Sequence, residues 1–281
     1  MGTYQNVARL PLPAPAHAGL PVGSVDVLPQ LAARAWPNRT ALHSAAGPVS
    51  FAELDRRISR LASGIRDLLG GEGSVVALSA VLGAGFPVAY YAVLRSGNVV
   101  APVNPRLGAE VLERLLESVS ARAAVLNRTM YERVRPVLTG LEHVLLLDEP
   151  GAAGVPSCTD LAGRGDLLVE PRDRDENELG AIMFGGGPTG HSGLTHHRVK
   201  VDAATIGAAH GLTENAVAVN GMPTFHPAHL NAAVWAGATQ VFCASQDPVV
   251  LAREVERHAA SHCYAPGAQF PPELPRRAVA S

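Results

Sequence analysis

Apolar positions along this chain fall into short blocks of two kinds that alternate. One kind repeats at helical spacing: Leu54, Ile58, Leu61 and Ile65 lie on one face behind Ser50, a good N-cap with Glu53 three residues on, and the pattern stops at Gly70-Gly71. The other kind is a continuous apolar run without alternation, such as Ser74–Ser79 and Asn98–Val103, as required of a strand covered on both faces in a parallel sheet. Further helices are predicted at Val27–Ala35 (ended by Trp36-Pro37), Gly85–Ser96 and Ala109–Ser118, with a short one from Met130 that Pro136 stops. Further strands are predicted at Thr40–His43, Ala123–Leu126 and Val144–Leu147. After a Pro/Gly/charge-rich stretch the series resumes with a strand at Leu179–Phe184 and a helix at Val201–Ala209. It continues with a strand at Ala216–Val219, a helix at Leu230–Trp235, a strand at Thr239–Phe242 and a helix at Pro248–Ala259.

This alternation predicts βαβ units, an α/β fold of parallel β-sheet layers covered by helices. The divisions read from it are a loose N-terminal arm (1–27), a first βα lobe (28–148), a connecting segment (149–178), a second βα lobe carrying a glycine-rich loop (179–270) and a frayed tail (271–281). No internal repeat is visible.

Composition narrows the choice of partner. A chain of 281 residues that is 47% hydrophobic buries a real core, which excludes disorder of the whole chain. Formal net charge is −2, so no basic field exists to hold nucleic acid or an anionic membrane. The cationic side is almost all arginine: Lys200 is the only lysine. Three cysteines, Cys158, Cys243 and Cys263, with no C-x-x-C spacing fit neither a disulfide framework nor a four-cysteine zinc site and read as reduced thiols. No secretory signal and no uninterrupted apolar stretch of 18 residues is seen, so the expectation is a soluble, cytoplasmic protein.

Chemistry concentrates in the loop after Leu179–Phe184. Gly185, Gly186, Gly187, Thr189 and Gly190 offer backbone N–H groups unobstructed by side chains, an arrangement that wraps a phosphate chain; a flexible glycine turn is the alternative. The spacing matches neither G-x-x-x-x-G-K-[ST] nor G-x-G-x-x-G.

Longer segments carry more information. Val93–Pro105 (VLRSGNVVAPVNP) resembles the "L-x-A-G-x-V-x-V-P-x-N-P" segment of the adenylate-forming superfamily, the AMP-dependent acyl and aryl carboxylate synthetases and acyl-CoA ligases. In the same order stand Gly73–Leu78, similar to "G-D-x-V-A-L", then Glu178–His196, similar to the family's phosphate-loop segment, and Pro223-Thr224-Phe225-His226, similar to "P-L-F-H". The resemblance covers about Leu28 to Phe270 and implies ATP or AMP with Mg as cofactors and a small carboxylic acid or acyl thioester as ligand. It also implies that the chain carries the first part of the family's N-terminal domain, with the C-terminal domain absent.

Departures from the family pattern are equally specific. Where the family reads T-S-G-T-T-G-x-P-K-G, this chain reads GGGPTGHSG: the first hydroxyls are gone, Pro188 removes a backbone donor and the lysine facing the phosphates is absent. His191 stands nearby but is largely neutral at pH 7. Thr189 and Gly190 are the loop residues that carry over.

By the resemblance, His226 borders the carboxylate, is the candidate catalytic residue, and forms a small-molecule wall with Phe225 and Trp235; a core-bonded helix-start histidine is the other reading. A metal site from His196, His197, His226 and His229 finds no carboxylate or cysteine at ligand spacing, so no metal is assigned. His196 reads as structural, Lys200 as a solvated surface residue. The function expected is a truncated carboxylate-activating homologue that binds an acyl or aryl acid or its adenylate but does not complete adenylation alone. It would act with a complementary chain, as a homo-oligomer, or in a diverged reaction. The alternative is a non-catalytic pseudoenzyme scaffold.

Overall fold

Helix α1 (Val27–Ala35) stops where Trp36 leaves the helical region ahead of Pro37. Strand β1 (Thr40–Ser44) pairs antiparallel with β2 (Gly47–Ser50), which runs into helix α2 (Phe51–Leu69). The Ser50 hydroxyl accepts the Glu53 backbone N–H at 3.2 Å, as the sequence predicts, and Gly70 at φ 64° closes the helix in the left-handed region. The Glu53 carboxylate pairs with Arg56 and Arg57.

The chain continues through β3 (Val75–Ser79), α3 (Gly85–Arg95), β4 (Val99–Val103), α4 (Ala109–Ser118), β5 (Ala121–Leu126), α5 (Arg128–Val134) and β6 (His143–Leu146). Pro136 sits in a 3-10 turn directly after α5. Then come α6 (Cys158–Arg164), β7 (Leu179–Phe184), β8 (His191–Thr195), α7 (His196–His210), β9 (Val217–Asn220), α8 (Pro227–Ala236), β10 (Thr239–Phe242), α9 (Pro248–Arg257), β11 (His262–Tyr264) and β12 (Val279–Ala280). This computed structural model describes residues 19–44, 47–147, 154–164, 174–185, 190–222, 227–245, 247–265 and 279–280.

Two six-stranded sheets form, in the orders β12-β11-β9-β10-β1-β2 and β6-β5-β3-β4-β7-β8. Pairing is parallel except for the hairpins β1–β2 and β7–β8 at one edge of each sheet. Each sheet draws strands from both sides of the 149–178 connection: β1 pairs with β10, and β4 with β7 through Val100 and Ala181.

Residues of α1, α2, α3, α7 and α8 share one core with Leu42 and Val49 of the first sheet and Val76, Leu78 and Val100 of the second. These helices therefore lie between the sheets, and α3 is buried at every position but Gly85 and Val88, as a largely apolar helix must be. Ala77, Ala124 and Leu126 point the other way, against α4 and α5, while Val219, Val241 and Cys263 meet α9. Alternate residues of one strand thus feed opposite helical layers, which explains the unbroken apolar runs.

Four expectations are corrected. The connection 149–178 contains α6, capped by Ser157 and Asp160, whose side chains each accept the other's backbone N–H. It packs so closely on α2 that a Cβ at Gly64 would lie 2.8 Å from the Leu161 carbonyl oxygen. Strand β8 follows the glycine loop where no strand was read. In the expected tail, Val279–Ala280 pairs with β11. In the expected loose arm, Ser24, Val25 and Asp26 are fully buried.

Candidate functional site

Strand β7 delivers the glycine-rich loop to the carboxyl end of the second sheet, the end at which open parallel sheets bind ligands. The Gly185 N–H donates to the Gly190 carbonyl at 2.9 Å, closing a hairpin continued by the Phe184–His191 pair of β7 and β8. Gly185 and Gly190 therefore form the neck of the loop, and the Gly185 N–H is committed to that neck. Gly186, Gly187 and Thr189 lie outside the described residues. Beside it, Asn104 follows β4, and its side-chain oxygen accepts the Arg106 N–H at 2.9 Å.

A second group of side chains forms on the other sheet. Strand β9 ends at Asn220, whose Oδ1 accepts the Met222 N–H at 3.1 Å, and Gly221 N–H donates to the Tyr264 carbonyl at 2.8 Å. Phe225 and His226 follow and lie outside the described residues. In the first turn of α8, the His229 ring stacks on Tyr264, with centroids 4.5 Å apart and planes at 12°. The Tyr264 hydroxyl is 2.9 Å from Nδ1 of His210, and His262 Nε2 is 2.8 Å from the His210 carbonyl. A carbonyl can only accept, so His262 carries its proton on Nε2.

Burial pushes the Tyr264 phenol up to about 12 and lowers His210, with the neighbouring His262 adding to the latter effect. Burial thus favours the neutral forms of both Tyr264 and His210. Sequence reading missed Tyr264 and His210 because β11 is only three residues long. The apolar run that ends at Pro266 was the available signal.

Trp235 stands at the far end of α8, packed on the central core beside Gly207 of α7. Eight residues of helix, about 12 Å, separate it from Pro227 at the helix start. Trp235 therefore stands at the opposite end of α8 from Pro227. His196 and His197 open α7 whereas His210 ends it, about 21 Å away, and His229 neighbours His210. His196 and His197 are thereby separated from His229, and among the described residues no group of three or more His, Cys, Asp or Glu is placed to hold a metal ion.

Lys200 corrects the sequence reading most sharply. Instead of being solvated, its side chain is 0% exposed, and Nζ donates to the Pro21 carbonyl (2.6 Å), the Gly23 carbonyl (2.7 Å) and Glu176 Oε2 (2.9 Å). Three acceptors saturate three N–H donors. One turn earlier on α7, buried His196 accepts the Val25 N–H on Nδ1 at 3.2 Å; burial drives its pKa down to about 4, with the Arg174 cation second. Arg95 completes the clamp through Asp26, Asp55 and Ser59. All of this lies at the amino end of β7: Glu176 precedes the strand, and the strand itself is about 17 Å long. The only lysine in the chain is thus fixed at the opposite end of the sheet from the glycine loop.

Two layered, mainly parallel sheets, with a glycine hairpin at the carboxyl end of one and an aromatic array on the other, define a layered α/β protein. The comparisons place it more closely. The family model described as "AMP-binding enzyme" matches residues 30–272, and the chain belongs to that family. Salicyl-AMP ligase / salicyl-S-ArCP synthetase of Mycobacterium tuberculosis is 27% identical over 257 residues, which cover 84% of this chain and 45% of that protein. Feruloyl-CoA synthase of an Amycolatopsis species is 27% identical over 237 residues, covering 80% and 45%.

Among solved structures, apo MbtA of Mycobacterium smegmatis superposes with a TM-score of 0.76 at 25% identity, over 87% of this chain and 48% of that one. The anthranilate CoA ligase AuaEII in complex with anthranoyl-AMP gives a TM-score of 0.78 over 87% and 50%; at 18% identity it bears on the fold alone. The chain spans about half the length of these relatives. Among the described residues no helix is long and apolar enough to cross a membrane.

Proposed function

We propose that this chain binds an acyl or aryl carboxylic acid, or its adenylate, at the carboxyl ends of its two sheets and does not carry out ATP-dependent adenylation by itself. The observation that carries this reading is Lys200. Phosphoryl-type chemistry depends on positioned cations that neutralise developing charge, and a lysine on the phosphates is the family's implied device. Here the sole lysine is buried, saturated by three oxygens and anchored at the amino end of β7. The Gly185 N–H is spent on its own hairpin, and Pro188 supplies no donor. These residues do not fit ATP with Mg as the resemblance implies, and no chemical step is assigned to that pair. A lysine for the phosphates would have to come from outside these residues.

On this reading the residues that meet the acid are Gly185, Gly186, Gly187, Thr189 and Gly190 of the glycine-rich segment, Phe225, His226 and Trp235, and the stacked pair His229 and Tyr264. The test is thermal unfolding of the full chain with a panel of aryl and short acyl acids, salicylate and ferulate among them. One acid should raise the midpoint, by about 2.7 kcal/mol of stability at a hundredfold excess over its Kd, while ATP does not. His226→Ala should remove that shift. A panel in which no acid stabilises the protein would overturn the proposal.

A further inference from the structure

A cavity of about 490 Å³ lies between α2, the start of α3 and α6, lined by none of the residues just described. Its volume lies in the range of small-molecule sites, roughly 300–1000 Å³. Leu61, Val88 and Leu147 provide an apolar floor, and Glu53, Arg57 and Arg60 stand on the α2 side. Glu53 is ion-paired with Arg57 at 2.6 Å and also with Arg56, which stands outside the lining, so Glu53 leaves no free negative charge at the cavity. Arg60 lies one turn further along α2, and among the described residues no ion pair engages it. Two arginines less one glutamate leave one positive charge over an apolar floor. The first turn of α3, which also borders the cavity, adds no carboxylate to offset it.

From this geometry we infer that the cavity is a second ligand site, for an apolar monoanion of the fatty-acid type, with the carboxylate on Arg60 and the chain along Leu61, Val88 and Leu147. A single compensating charge selects a monoanion over a nucleotide, and a guanidinium grips a carboxylate bidentately. The site shares no residue with the carboxyl-end site, so the two proposals stand or fall separately.

The experiment is photolabelling of the full chain with a diazirine analogue of decanoate, mapped by peptide mass spectrometry. Saturable label should fall on residues 53–61 and 158–164 and be competed by decanoate. Arg60→Glu should weaken it about tenfold or more, since it places like charges together. Gly163→Phe should abolish it: Gly163 lines the cavity, and a Cβ there meets no atom within 4 Å, so the new side chain starts in open space. Unfolding midpoints of both variants serve as the control. Label confined to peptides containing His229 or Tyr264, label indifferent to both substitutions, or no saturable label at all would each overturn the inference. Loss of stabilisation by aryl acids with this labelling intact would instead count against the carboxyl-end site.

Discussion

Replacing Lys200 with Met keeps the aliphatic stem and deletes the ammonium, which isolates the clamp as a stability element. Two buried or half-buried carbonyls, Pro21 and Gly23, lose their donor, and Glu176 loses its partner. Breaking a buried ion pair costs about 3–5 kcal/mol, and each stranded polar group about 1–3 kcal/mol. Glu176 is one-third exposed and regains water, which discounts the total to about 3 kcal/mol. Arg198→Met on the same helix is the natural control, because its pair with Asp202 is largely exposed and worth about 0.3 kcal/mol. Urea unfolding at constant m reads both. Because Lys200 is the only lysine, its acylation by a soluble reagent also reports directly: it should be spared in the native protein and modified in urea. A Lys200→Met loss below about 0.5 kcal/mol, the size of an ordinary surface substitution, would refute the reasoning and free the ammonium for other work.

Other outcomes follow from the same packing. His196 is held neutral at a pKa of about 4 against 6.5 when unfolded, so its contribution is fully present above pH 6.5 and is lost as pH falls from 6.5 to 4. The total is about 3 kcal/mol, and His196→Asn should flatten that part of the stability–pH curve; parallel curves would remove His196 as the cause. Gly64→Ala should cost about 1–3 kcal/mol, because the new methyl meets the Leu161 backbone oxygen, whereas Gly163→Ala on α6 should be neutral or slightly stabilising. Equal unfolding midpoints for the two would show that α6 is loosely seated.

The layered α/β architecture was legible because its signals are local. The Ser50 cap, the Gly70 stop and the two-faced burial of β3 and β4 all act within a few residues of themselves. What escaped was decided by distant partners. The buried stripe of α7 runs through His196, Val199, Lys200, Ala203, Ala204 and Gly207 at helical spacing, but two of its members are polar. They tolerate burial only because carbonyl, amide and carboxylate groups arrive from residues 21–25 and from Glu176, up to 179 positions away. Tyr264 escaped likewise, since His210 and His229 reach it from two other elements. Strand β8 was hidden because HSGLT shows no apolar alternation and is held by pairing to β7 alone.

The central claim is that this chain holds an acid without activating it, and pyrophosphate release tests that claim most directly. The purified chain, given ATP, magnesium and the acid that stabilises it best, should release no more pyrophosphate than a protein-free control. Acid-dependent release by this chain alone would contradict the account.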